Sequence, residues 1–393
     1  MTDIILKKGK EEPLLRFHPW VFSGAISRMI GSVADGDMVR VCDYKSQPLA
    51  FGYYNDGSIA VRILSFGTEA PDANFWTKKL GAAVKYRREI GILSDLTQTN
   101  CYRLVHAEGD GVPGLIIDIY ADTAVVQCHS VGMHRQITDI AAALRVVLPN
   151  LLGTYDKSAE TLPAYYAATM QNGYLYGAIS GEGIVLEHGI KFKIDWETGQ
   201  KTGFFLDQRV NRHTVGQYAA GKTVLNAFSY TGGFSMYALR AGAKTVHSVD
   251  ISGKAIDLAN QNAALNAPYT GIHEAFADNV LTFLKEPPTT YDLMVVDPPA
   301  FAKNIAKRHN AVQGYRRLNE AALRQVAPGG LLFTFSCSQV VDKTLFYNTI
   351  VAAAIDAGRQ VRVMQHLSQP PDHPVSLFHP EGSYLKGLVL YVE

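Results

Sequence analysis

The chain of 393 residues predicts an α/β protein of several domains, its carboxyl-terminal half a seven-stranded, mostly parallel sheet with helices on both faces. Three observations predict it. Short apolar runs alternate with helical patterns from about residue 187 onward. The run Leu293-Met294-Val295-Val296 stops at Asp297-Pro298-Pro299-Ala300-Phe301, as a buried parallel strand does when it reaches the ligand-bearing edge of an open sheet. Upstream of residue 187 the pattern changes twice, from turn-rich β to mixed helix and strand, so a small barrel over 1–70 and a small α+β domain over 71–186 are expected before the α/β domain of 187–393.

Composition narrows the class. The residues are 47% apolar and 19% charged, as in globular proteins, and the amino terminus is charged too early for a signal peptide. No apolar run is long enough to span a bilayer, so no membrane association is expected. Cys42, Cys101, Cys128 and Cys337 are far apart and form no C-x-x-C pair, which argues against a disulfide framework or a zinc site and fits a reducing cytoplasm. No metal is expected. With a formal net charge of +1, nucleic-acid binding would depend on local basic patches.

In the first segment, 38–43 and 59–64 alternate apolar and polar residues as half-buried strands do, and Ala34-Asp35-Gly36-Asp37 and Asn55-Asp56-Gly57-Ser58 carry tight-turn chemistry. Closure into a barrel removes the exposed edges. The stretch His18-Pro19-Trp20-Val21-Phe22-Ser23-Gly24-Ala25-Ile26 resembles the opening of a PUA domain, an RNA-binding barrel, with Trp20 and Phe22 read as core aromatics. Next, 74–88 has helical apolar spacing and a basic face read as solvated. Strands over 115–120 and 124–128, a helix over 136–147, and strand-like pieces near 153–155 and 184–186 complete an α+β domain in which nothing announces chemistry.

Beyond residue 187, strands are expected at 223–228, 244–249, 272–276, 293–296, 331–335, 361–365 and 388–392, with helices at 234–240, 254–266, 318–326 and 343–356. Only a proline-studded loop joins the last two strands. It cannot supply a right-handed crossover, so that pair should be antiparallel.

The strand ends carry the chemistry. The first strand leads into Asn226-Ala227-Phe228-Ser229-Tyr230-Thr231-Gly232-Gly233, where two glycines would let backbone approach a ligand and a helix amino terminus offers free N–H groups. No G-x-G-x-x-G fingerprint is present, which disfavours a dinucleotide. Asp250 ends the second strand where a ribose diol would lie, and Asp278 ends the third where adenine would be met, although a capping aspartate explains Asp278 almost as well. In Phe333-Thr334-Phe335-Ser336-Cys337-Ser338 a thiol closes the fifth strand, on the same rim as Asp297. A helix amino terminus nearby would favour its thiolate. A small buried cysteine is the alternative. Carbon 5 of a pyrimidine needs a thiolate at carbon 6 before it can attack a methyl donor, whereas N-methylation needs no thiol, so Cys337 points to carbon methylation with Asp297 as the acid. The basic stretch Lys303-Asn304-Ile305-Ala306-Lys307-Arg308-His309, followed by Tyr315-Arg316-Arg317, reads as a loop suited to a phosphate backbone or as solvated surface.

Together these motifs resemble motifs I to IV of a class I (Rossmann-like) S-adenosylmethionine-dependent methyltransferase. The upstream run Gly199-Gln200-Lys201-Thr202-Gly203-Phe204-Phe205-Leu206-Asp207-Gln208-Arg209 matches a signature of one RNA-methylating branch. The whole chain resembles the ribosomal large subunit methyltransferase I family, which joins a PUA domain, an α+β domain and a class I methyltransferase domain in this order. The resemblance implies S-adenosylmethionine as cofactor, held by Phe205, Asp207, Gln208, Asn226, Phe228, Tyr230, Gly232, Gly233, Asp250, Ile251, Asp278, Asn279, Asp297 and Pro298. It implies formation of 5-methylcytosine in 23S rRNA by a covalent adduct of Cys337 with Asp297 as acidic partner, and RNA contacts from Lys303, Lys307, Arg308, Arg316 and Arg317. Where other RNA cytosine-5 methyltransferases carry a second cysteine, this chain has Pro298-Pro299, so product release needs another base. Uracil-5 methylation by the same thiol chemistry and a non-catalytic assembly factor are the competing expectations. A homodimer is the other partner state to consider.

Overall fold

The computed structural model describes residues 1–177, 182–302 and 304–393. They form two compact units, one of 1–186, 194–206 and 371–382, the other of 187–193, 207–370 and 383–393.

The first unit contains two sheets with separate cores. Six strands, Thr2–Leu6, Trp20–Phe22, Ile26–Ile30, Met38–Cys42, Pro48–Tyr54 and Ile59–Phe66, make the amino-terminal sheet, with Trp20–Phe22 and Ile26–Ile30 at its two edges. Only three residues, Ser23 to Ala25, separate Phe22 from Ile26, at most about 14 Å of extended chain, so the sheet must curl to bring its edges together. Ile4, Leu6, Val39, Val41, Val61 and Ile63 fill the interior. The expectation for Trp20 and Phe22 is corrected. On this edge strand the pleat turns Val21 inward and its neighbours outward, leaving Trp20 half-buried and Phe22 exposed. The Trp20 indole donates to Glu108 Oε1 at 2.9 Å.

The second sheet runs in the order Gly173–Tyr176, Gly153–Asp156, Thr123–Cys128, Leu115–Tyr120, Cys101–His106, and shares a core with the helices Phe75–Glu89 and Ile137–Val147. The basic face of Phe75–Glu89 is not wholly solvated as expected. Arg87 is fully buried, paired with Asp110 and donating to the Asp372 carbonyl at 2.7 Å, which ties segment 371–382 to this unit.

In the second unit the elements are numbered from its start. The sheet contains β1 (Thr223–Ala227), β2 (Thr245–Asp250), β3 (Ile272–Ala277), β4 (Tyr291–Val296), β5 (Val326–Ser336), β6 (Val361–Leu367) and β7 (Lys386–Val392), in the order β3-β2-β1-β4-β5-β7-β6. β1 to β5 pair in parallel, while β7 inserts antiparallel between β5 and β6, as the short final connection requires. The helices are α1 (Arg209–Tyr218), α2 (Gly233–Arg240), α3 (Gly253–Leu265), α4 (Val280–Phe283), α5 (Arg308–Gln325) and α6 (Lys343–Ala357). Leu225, Val249, Met294, Val296, Leu332 and Leu390 are within 3% of fully buried or better, so the sheet is covered on both faces and its ligand-bearing edge is the carboxyl ends of β1 to β5. Here too the chain departs from expectation. The stretch read as a basic loop is a turn at Ile305–Lys307 followed directly by α5, which starts ten residues before the predicted helix.

Candidate active site

The strand order sets the site. β4 and β5 are parallel neighbours, Val296 opposite Thr334, so Asp297 and Cys337 leave adjacent strand ends. Asp297 is half-buried and its Oδ2 accepts from Gln208 Nε2 at 2.9 Å. Burial, then the nearby Asp207 carboxylate, push the Asp297 carboxyl up to about 7, against the Gln208 hydrogen bond and Arg212. Near neutral pH the group can therefore carry a proton.

Cys337 is a free, half-buried thiol, whereas Cys42, Cys101 and Cys128 are buried. The expectation that local structure favours its thiolate is corrected. Burial, then Asp297 and Asp207, raise the thiol to about 11, while its own backbone amide and Lys386 pull it down. The α6 amino terminus does not offset this, because Asp342 caps it by accepting from Leu345 N at 2.8 Å. Tyr315, fully buried on α5, lies beneath the same rim with Phe301 packed on its ring at 4.6 Å between centroids. A side chain at Gly314 would reach within 3.0 Å of the Phe301 ring, so the glycine makes room for it.

Gln208, expected to touch a cofactor, is 3% exposed and engaged at both ends: its Oε1 accepts from Asn211 Nδ2 at 2.6 Å while its Nε2 holds Asp297. That hydrogen bond fixes the direction of the Asp297 carboxyl. Asp207 Oδ2 accepts from the Tyr384 hydroxyl at 2.7 Å, and its Oδ1 is buried without a partner among the described residues. Phe205 is half-buried and belongs to the first unit, with segment 194–206.

At the β1–α2 turn, Phe228, Tyr230 and Gly232 all have positive φ, 59°, 46° and 79°. Both glycines are also required by packing. A Cβ on Gly232 would lie 3.1 Å from Ala259 of α3, and one on Gly233 would lie 3.0 Å from the Arg212 side chain. Arg212 is itself fixed by fully buried Glu187, to which Nε and Nη2 both donate at 2.7 Å, with Arg209 and the Tyr237 hydroxyl on the same carboxylate. Glu187 stays ionised because Arg212 outweighs the penalty of burial. Asn226 is buried and donates to Ser235 Oγ at 2.9 Å, which continues through Ser248 to His273 Nε2, and its own Oδ1 lacks a partner among the described residues.

Asp250 accepts the amides of Tyr230 and Ser252, both at 2.9 Å, and Ile251 beside it is 75% exposed. Asp278 is half-buried and accepts from the amide of Asn279. Asn279, not Asp278, caps the short α4, accepting from Leu281 N and Thr282 N. Pro298 is buried. Of the basic residues, Lys307, Arg308 and Arg317 are exposed, whereas the Arg316 guanidinium is held by both oxygens of Asp356 at 2.5 and 2.8 Å. Lys303 lies outside the described residues.

Sequence reasoning read Tyr315, which is buried on α5, as part of the basic loop, and missed Glu187, Arg212, Tyr384 and Lys386. The last two stand in Gly382-Ser383-Tyr384-Leu385-Lys386-Gly387, polar residues where a buried strand begins, which is the signal that was available.

Comparison with known proteins agrees with the architecture. Residues 163–388 match a family model described as S-adenosylmethionine-dependent methyltransferase, and residues 4–66 match a PUA-like domain. A putative SAM-dependent methyltransferase from Streptococcus mutans superposes over 100% of both chains at 24% identity with a TM-score of 0.84, and a putative methyltransferase complexed with SAH does so with 0.85. Ribosomal RNA large subunit methyltransferase I of Aeromonas hydrophila is 41% identical over 396 residues, 99% of each chain, and that of Escherichia coli is 38% identical over 395, again 99% of each. With identity sustained through both matched domains, the chain belongs to the S-adenosylmethionine-dependent ribosomal RNA large subunit methyltransferase I family.

Proposed function

We propose that the protein methylates carbon 5 of a cytosine in 23S rRNA through a covalent adduct of Cys337. The observation that carries the reading is the pairing of an unbonded thiol with a carboxyl raised to about 7 at adjacent strand ends of one rim. Cys337 Sγ, once deprotonated, bonds to carbon 6 of an unstacked base. The electron pair of the 5,6 double bond shifts toward carbon 5, and Asp297 delivers its proton to ring nitrogen 3, where negative charge would otherwise accumulate. After substitution, a base removes the carbon 5 proton, the S–C6 bond breaks, and Asp297 recovers the proton from nitrogen 3.

S-adenosylmethionine, when bound, supplies an electrophilic methyl group. The residues present fit it: Asp207 Oδ1, Asn226 Oδ1, Ser229 Oγ and Thr231 Oγ1 are buried without partners among the described residues, the polar lining an amino acid and nucleoside moiety would satisfy. Asp207 would take the ammonium. The β1–α2 turn from Asn226 through Phe228, Tyr230, Gly232 and Gly233, with Pro298, would line the methionine part. Asp250 would take the ribose with its remaining lone pairs, exposed Ile251 would cover the adenine, and Asp278 and Asn279 would bound it. Lys307, Arg308 and Arg317, exposed along one turn and helix, would meet RNA phosphates.

The test is methyl transfer from labelled S-adenosylmethionine to rRNA lacking the modification, with mass-spectrometric analysis of the product nucleoside. The expected product is 5-methylcytosine, lost in Cys337→Ala. Methyluracil would move the reading to uracil, an exocyclic N-methyl product or wild-type activity in Cys337→Ala would overturn the covalent mechanism, and no product would favour an assembly factor.

A further inference from the structure

The thiol has to lose a proton in a site that opposes its ionisation, and the two carboxylates nearest in effect make that harder. One cation stands against them. Lys386 opens β7 opposite Ser336 of β5, and its Nζ donates to the Ser338 carbonyl at 2.6 Å, so it spans the peptide segment that carries Cys337. The residue is 5% exposed, and no carboxylate lies within ion-pair distance of it among the described residues. A buried lysine without a carboxylate is costly to keep charged, and that cost falls when an anion forms beside it.

We infer that Lys386 is the proton acceptor and charge partner of Cys337, forming a thiolate–ammonium pair as the nucleophile is unmasked. This rests on the reading of Cys337 as the nucleophile. In the step, the Sγ–H bond breaks, its proton passes to the lone pair of neutral Nζ, and the sulfur electron pair forms the bond to carbon 6. On release, the S–C6 bond breaks, the electron pair returns to sulfur, and the ammonium returns its proton to the thiolate. Two features agree with the role. Burial pulls the amine down to about 8, so a neutral fraction exists at working pH, and Cys337 is the first group to oppose that fall. The other charges facing Nζ are Asp342, which favours the ammonium, and Lys343, which opposes it.

Cys337 alkylation by iodoacetamide, without RNA or cofactor, reads the thiolate directly, since the other three cysteines are buried. Lys386→Met should slow alkylation at pH 8 by about tenfold or more and shift its pH midpoint upward, and should lower kcat for methyl transfer without raising KM for RNA. Lys386→Arg keeps a cation that cannot take up a proton, so it should retain alkylation within about threefold of wild type, as the charge partner, yet lose kcat by about tenfold or more, as the missing proton acceptor. Wild-type kcat in this variant overturns the proton-acceptor role, and the variant decides the matter if the methionine variant fails to fold. Alkylation in Lys386→Met that overlays wild type, or in Lys386→Arg that is slowed tenfold or more, overturns the role of Lys386. Methylation by Cys337→Ala instead removes the nucleophile reading and leaves the alkylation result standing, so the two failures are distinct.

Discussion

Replacing Asp297 with asparagine should stabilise the fold, and increasingly so as pH rises. The carboxyl ionises near 3.8 in an unfolded chain and near 7 in the folded one, mainly because burial and then Asp207 penalise the anion. Below 3.8 both states hold the proton and the group contributes no pH dependence. Between the two values the unfolded chain has lost its proton while the folded one keeps it, so stability falls as pH rises, by up to about 1.4 kcal/mol per pH unit. Above about 7 both are ionised and the folded protein carries the full penalty, whose upper bound is about 4 kcal/mol. Water reaches this half-buried site, so about 2 kcal/mol is the practical expectation. Asparagine keeps the shape and an oxygen to accept from Gln208, and cannot ionise. Urea midpoints of both proteins at pH 5 and pH 8 measure the effect, with the gap widening in favour of Asp297→Asn at pH 8. Parallel profiles would refute the reasoning, because they would mean that this carboxyl ionises as readily in the fold as outside it. The same variant should lose methyl transfer, so one substitution raises stability and removes activity.

Glu187→Gln should destabilise the second unit by about 3–5 kcal/mol in urea unfolding, since Arg212 and Arg209 would be left buried beside a neutral amide. Gly232→Ala adds a methyl 3.1 Å from Ala259 at a φ of 79° and should cost about 1–3 kcal/mol of stability, with weaker S-adenosylmethionine binding by calorimetry. Arg317→Ala should weaken RNA binding and reduce the salt slope of log K by about 1, whereas Arg316→Ala, whose guanidinium is held by Asp356, should leave that slope unchanged. If Asp297 acts protonated and Lys386 neutral, kcat should be bell-shaped in pH with its maximum between about 7 and about 8, and Lys386→Arg should remove the rising limb.

The sheet was legible because its strands are buried on both faces and read as uninterrupted apolar runs, as Leu293 to Val296 do. The antiparallel β7 was legible because a short connection excludes a crossover. The first half of α5 was hidden by its polar, basic surface, although Ala311, Tyr315, Leu318, Ala322 and Leu323 hold the helical spacing and are all buried. The site divides along the same physical line. A residue's position at a strand end is a local property, and adjacent strands then bring Asp297 and Cys337 to one rim. Ionisation is a sum over the whole surroundings, and the groups that decide it for Cys337 arrive from remote parts of the chain: Asp207 from before α1, Asp297 from β4, Lys386 from β7. A nearby helix amino terminus was the only one of these influences visible in the local sequence, and its own capping aspartate blunts it. The place of Cys337 on the rim could therefore be read from the chain while the sign of its pKa shift could not. Lys386, the cation that opposes that shift, could be recognised only once β7 had been placed beside β5.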